Sequence, residues 1–128
     1  MSFLFLRKRE VLDIHARLIE EFGGGLGLRD EGALESALAA AENREHYESA
    51  DLATCAATYA YHLSQAHAFI DGNKRIAAAV SEIFLEINGA RLNATNEQIV
   101  SLFLDIAAGN VSRAQVEQFF LQRVKPGS

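Results

Sequence analysis

Cysteine and proline each occur once among the 128 residues, as Cys55 and Pro126. One thiol excludes an internal disulfide framework and any multi-thiolate zinc site. In its Ala-rich surroundings Cys55 reads as a small buried hydrophobe. The single proline lies in the tail Pro126-Gly127-Ser128, so no proline breaks a helix earlier in the chain. Basic charge is also scarce: 12 Lys and Arg stand against 17 Asp and Glu, a formal net charge of -5. That balance argues against a phosphate-backbone binder, and so against direct nucleic-acid binding. Any polyanion would need a local basic patch. No leader of useful length opens the chain, because Arg7-Lys8-Arg9-Glu10 follows the apolar start at once. The expectation is a cytoplasmic protein without a secretion signal. Leu52 to Ile70 holds no Asp, Glu, Lys or Arg, but it carries Thr54, Thr58, His62, Ser64, Gln65 and His67. Those groups are costly in lipid, so the run reads as a buried helix and not a membrane span.

Alanine occurs 21 times and leucine 15 times, against 17 for valine, isoleucine and threonine together. Good helix formers without breakers predict an all-α fold. Length and the absence of linkers or repeats predict one domain over residues 1–128, with 126–128 as a disordered tail. Apolar spacing places helices at about 8–22, 31–41, 52–66, 74–88, 96–108 and 113–124. The first puts Val11, Leu18 and Phe22 on one face. Asp30 and Asp51 stand where helix caps belong, and Gly89 stands where a helix stops. Thr95-x-x-Gln98 and Ser112-x-x-Gln115 fit the capping box. Phe103, Phe119 and Phe120 form a core stripe. The expected architecture is a compact six-helix bundle.

One segment departs from this regularity. Residues 67–75 read His-Ala-Phe-Ile-Asp-Gly-Asn-Lys-Arg, between two apolar helices. Asp71-Gly72-Asn73 supplies a turn, but a turn needs neither a histidine nor two adjacent cations. A helix that starts near Asn73 presents unpaired N–H groups and a positive dipole end, which together favour anions. Gly72 lets an anion approach the backbone closely. Lys74 and Arg75 add charge and donors. Asp71 is a hard oxygen ligand suited to Mg²⁺ shared with substrate phosphates. His67 is the side chain there that can take a proton near neutral pH. Base, metal ligand and phosphate clamp are the parts of phosphoryl or nucleotidyl transfer. The plain alternative is a turn followed by a solvated Lys-Arg pair. No Walker loop, kinase glycine loop or serine elbow is present. Gly23, Gly24, Gly25 and Gly27 read as a loop, since neither a strand nor a Lys-Ser/Thr pair accompanies them.

The 67–75 segment resembles the signature of the Fic/Doc family, in its Doc (death on curing) branch. The family pattern is His-x-Phe-x-Asp-(Gly/Ala)-Asn-(Lys)-Arg, and every defining position is met. Residues 22–38 and 43–63 are similar to the same branch more weakly, so the resemblance spans about residues 5–122. It implies a compact helical protein with the motif in a helix-loop-helix. It implies ATP and Mg²⁺ as the small-molecule requirements. His67 would be the general base, Asp71 the Mg²⁺-linked acid, and Gly72, Asn73, Lys74 and Arg75 the residues around the ATP phosphates. Phe69 would be an apolar anchor. Fic-type members transfer AMP to a protein hydroxyl. The Doc branch implies a protein kinase that phosphorylates elongation factor Tu and stops translation. It also implies a cognate antitoxin whose C-terminal segment occupies a groove of the toxin.

The chain departs from the AMP-transferring pattern, which ends Gly-Asn-Gly-Arg-x-x-Arg. Lys74 stands at the second Gly and Ala78 at the last Arg. A lysine side chain would crowd the phosphates, and one cationic clamp is lost, which favours phosphorylation over AMP transfer. A catalytically silent partner-binding module is the reading from a different class. A metal-dependent nuclease is a third, opposed by the absence of an i, i+4 histidine pair among His15, His46, His62 and His67 and by the small basic surface. His15 reads as a satisfied core histidine.

Overall fold

The computed structural model describes residues 3–127. Its helices are α1 (Lys8–Phe22), α2 (Glu31–Glu48), α3 (Leu52–Ala66), α4 (Asn73–Ile87), α5 (Asn96–Ala108) and α6 (Arg113–Arg123). Two short strands, β1 (Ala90–Leu92) and β2 (Val124–Pro126), pair antiparallel. The six expected helices are present, and their starts lie within one residue of the expected positions.

The charge-free run becomes α3, the central element, packed by α2, α4, α5 and α6. Tyr59 and Leu63 are fully buried on it, and each contributes about 1.5–3 kcal/mol relative to exposure. No helix among the described residues is long and apolar enough to cross a membrane. Cys55 is fully enclosed, and burial pushes its thiol up to about 12. Phe84 of α4 meets Tyr59 at 5.1 Å and Phe5 at 5.3 Å between ring centroids. The N-terminal segment therefore lies across the core. It is fastened there by Leu6 N–H donating to Tyr59 Oη (3.2 Å) and by a pair of bonds between Leu4 and the Asn88 amide.

Three expectations need correction. The second helix runs to Glu48 and not 41. Its last two turns lack an apolar period because ion pairs hold them: Arg44 reaches Glu48 at 3.2 Å and Glu117 of α6 at 2.8 Å. Pro126 and Gly127 are not a disordered tail. Pro126 faces Ala90 in the sheet, and Gly127 N–H donates to Gly89 O at 2.8 Å. The turn at Gly89 exposes the backbone of 89–92, and the end of the chain satisfies it. Ser128 lies outside the described residues. Phe119 of the expected core stripe is only partly buried: it packs against the core from the edge, beneath Arg123, while Phe22, on the face of Val11 and Leu18, is 53% exposed.

Candidate active site

The α3–α4 connection carries the motif. α3 ends at His67, whose backbone is left-handed (φ 48°, ψ 42°). Such a conformation costs a non-glycine residue about 1–2 kcal/mol, and it turns the chain sharply. Ala68 and Phe69 then dive inward and are buried. Asp71 is exposed, and Gly72 caps α4 with φ 80°.

Asn73 organises this loop. Its amide donates from Nδ2 to Phe69 O and accepts at Oδ1 from Phe69 N–H, both at 3.0 Å. The side chain is thus anchored to the loop by one of its two Nδ2 protons and by Oδ1, and the Asn73 backbone N–H stays open to a ligand. This refines the expectation that Asn73 binds cofactor. Gly72, Asn73, Lys74 and Arg75 donate their backbone N–H groups to no acceptor among the described residues. The first turn holds no acid and carries Lys74 and Arg75 instead, both exposed. Four open donors, a positive dipole end and two cations make an anion cradle.

The glycine-rich loop before α2 packs beside the motif. Gly25 N–H donates to Asp71 Oδ2 at 2.6 Å, and Ile70 N–H donates to Gly27 O at 3.1 Å. Leu28 and Phe69 form an isolated antiparallel bridge, and Arg29 and Asp30 both donate to Ala68 O. The glycines are required by this approach. A Cβ on Gly24, at φ 111°, would stand 3.1 Å from Asp71 Cβ. They hold Asp71 in place and form no phosphate loop of their own.

His67, Asp71, Gly72, Asn73, Lys74 and Arg75 all line one cavity of about 760 Å³. The six residues singled out from the sequence are therefore brought together. Their cavity continues over Ala78, Ala79, Ile99, Val100, Phe103 and Leu104 as an apolar groove between α4 and α5. Glu82 borders it, and burial, then Glu86, raises its carboxyl above the ordinary value. Arg75 lies over the Phe22 ring at 4.6 Å, a cation–π contact that braces the guanidinium at the cavity rim.

Sequence reading missed the supports from α1. Phe22 was placed only on the face of Val11 and Leu18, and His15 was read as a satisfied core histidine, with no partner named. His15 is 2% exposed, as expected, but its Nε2 donates to Asp71 O at 2.7 Å and its ring stacks on Phe69. A histidine on an otherwise apolar helix face was the available signal. Its partner lies too far along the chain to be paired by spacing.

No group of three or more metal-ligating side chains occurs among the described residues. A cation here would depend on Asp71 together with substrate oxygens. Mg²⁺ fits that donor set, since it keeps waters and binds through one or two carboxylates plus phosphates.

The chain is similar in sequence to known proteins. Residues 5–85 match the Fic/DOC family. A protein of Escherichia phage P1 named "Protein kinase doc" is 32% identical over 108 residues, covering 84% of this chain and 85% of the relative. A "Toxin Doc" of Mycolicibacterium smegmatis is 41% identical over 75 residues, covering 57% of this chain and 58% of the relative. The chain carries the motif in a helix-loop-helix, with a cradle at the start of α4, and belongs to the Fic/Doc family.

Proposed function

We propose that this chain is a Doc-like toxin of a toxin–antitoxin pair that transfers the γ-phosphate of ATP to a hydroxyl of a protein target. The observation that carries this is the open N-terminus of α4, with four unpaired N–H groups and two cations in the same cavity as His67. Lys74 and Ala78, in place of the glycine and arginine of the AMP-transferring pattern, favour phosphorylation. The name of the phage relative, "Protein kinase doc", agrees with that preference.

The chemistry follows from the side chains. His67 accepts the proton of the target hydroxyl. The hydroxyl oxygen forms a bond to the γ-phosphorus while the bond from that phosphorus to the β,γ-bridging oxygen breaks, and ADP leaves. Gly72, Asn73, Lys74 and Arg75 hold the phosphate oxygens through backbone N–H groups, with the two cations adding charge. Asp71 would hold Mg²⁺, which would offset phosphate charge. The target implied by resemblance is elongation factor Tu, with arrest of translation as the result in the cytoplasm. The apolar groove of Ile99, Val100, Phe103 and Leu104 suits the C-terminal segment of a cognate antitoxin, where Val100 and Leu104 are half-exposed.

The test is incubation of the purified protein with a translation extract and ATP labelled separately at the α and γ positions. Label from the γ position alone on one protein band is expected. Label from the α position would replace this reading with AMP transfer. No label, with tight antitoxin binding, would replace it with a silent binding module.

A further inference from the structure

We infer that His15 is a positioning residue that sets the anion cradle by fixing the Asp71–Gly72 peptide. The inference deepens the phosphoryl-transfer reading and rests on it for its kinetic test alone. His15 Nε2 lies 2.7 Å from Asp71 O. A carbonyl oxygen only accepts, so Nε2 carries the proton and donates. The two ends of a planar trans peptide point in opposite directions. Drawing Asp71 O toward α1 therefore turns Gly72 N–H away from α1, toward the cavity that Gly72, Asn73 and Lys74 line.

The surroundings hold the imidazole to this bond. Its ring stacks on Phe69 with centroids 3.8 Å apart and planes at 15°. Phe69 is itself clamped by Asn73. A Cβ on Gly72 would come 3.4 Å from His15 Nε2, so the glycine backbone lies directly against the ring. Glycine also makes this peptide easy to flip, because it accepts either sign of φ. Flipped, the peptide would present the Asp71 carbonyl oxygen to phosphate where an N–H donor is needed. The buried donor on α1 blocks that flip, and the cradle is preformed before any ligand arrives.

Two variants separate this role from simple core filling. His15→Gln and His15→Met introduce side chains of equal length, of which only Gln can donate to Asp71 O. The first measurement follows the Gly72 amide resonance of the full chain during titration with inorganic pyrophosphate. We expect a shift in the wild type and in His15→Gln, and none in His15→Met. The second is γ-label transfer, in which His15→Met lowers kcat by about 10²-fold, the order lost when one oriented backbone donor is removed, while His15→Gln restores most of it. Thermal melts report whether each variant folds. A Met variant that matches the wild type in both measurements overturns the inference. So does a folded Gln variant that fails together with Met, because the stacked ring and not the donor would then matter. If His15→Met does not fold, the Gln variant alone decides, by keeping or losing the Gly72 response. A wild type that transfers no label, yet shows a donor-dependent Gly72 response, sinks the kinase reading and leaves the role of His15 intact. A wild type that transfers label without any Gly72 response does the reverse.

Discussion

The N-termini of α4 and α5 border the same cavity, through Asn73 and Asn96, and they are finished in opposite ways. α5 is closed. Thr95 accepts from Gln98 N–H at 3.1 Å, Gln98 returns the bond to Thr95 N–H at 2.9 Å, and Glu97 sits in the first turn. Two of its first four donors are thus paired by side chains, and an acid meets the dipole. α4 is open: its cap is a glycine without a side chain, and its first turn carries Lys74 and Arg75 where an acid would stabilise the helix. Cations at this end are unfavourable by a few tenths to about 1 kcal/mol each. The open end is therefore a local sacrifice of stability that only an incoming anion repairs. Two helix ends on one cavity thus differ in how far the chain itself meets their needs.

The largest expected effect concerns the histidine that shares its cavity with the open end. His67→Asn should lower γ-phosphate transfer by about 10²–10⁴-fold. Asparagine tolerates the left-handed backbone at this position, so circular dichroism should stay unchanged. An unaltered initial rate would remove His67 from the role of base. Asn73→Ala strips both bonds from the buried Phe69 backbone and should cost about 1–3 kcal/mol in denaturant unfolding. A smaller loss would mean that the bridge to Leu28 holds the loop unaided. Thr95→Ala opens the closed end and should cost about 1 kcal/mol, with transfer of label unaffected. Loss of transfer there would show that both helix ends serve the site.

The smallest effect concerns Glu82 in the groove. Burial and Glu86 raise its carboxyl above the ordinary value. The folded chain then binds this proton more tightly than the unfolded chain. Stability is full below the ordinary carboxylate value and declines as pH rises through it to the raised value. Glu82→Gln removes that titration. Denaturant midpoints should rise at about pH 7 and stay level at about pH 4; a variant weaker at neutral pH would show that the charge has a favourable partner.

Much of this was legible in the chain because it is local. Thr95-x-x-Gln98 and Ser112-x-x-Gln115 form the boxes their spacing announces, since a capping bond joins residues three apart. The six motif residues fall in one short bend, so their convergence needs no knowledge of packing. Other features were hidden. The end of α2 depends on Arg44 meeting Glu117. Phe22 shares the face of Val11 and Leu18 by period, but helix phase alone does not say where a helix stops being covered. Pro126 looked like loose tail because its strand partner lies near Gly89, far back in the sequence.

Residue types and spacing settled the helical class, the caps and the short stretch that carries the family motif, because propensity, capping and turn formation act over a few neighbours. Packing settled which donors stay free. The imidazole of His15 beneath Asp71 O, Gly25 N–H on the Asp71 carboxylate and Phe22 under Arg75 join segments roughly fifty residues apart. Contacts over such separations are set by how α1 and the glycine loop settle on the buried face of α4, which no local pattern encodes.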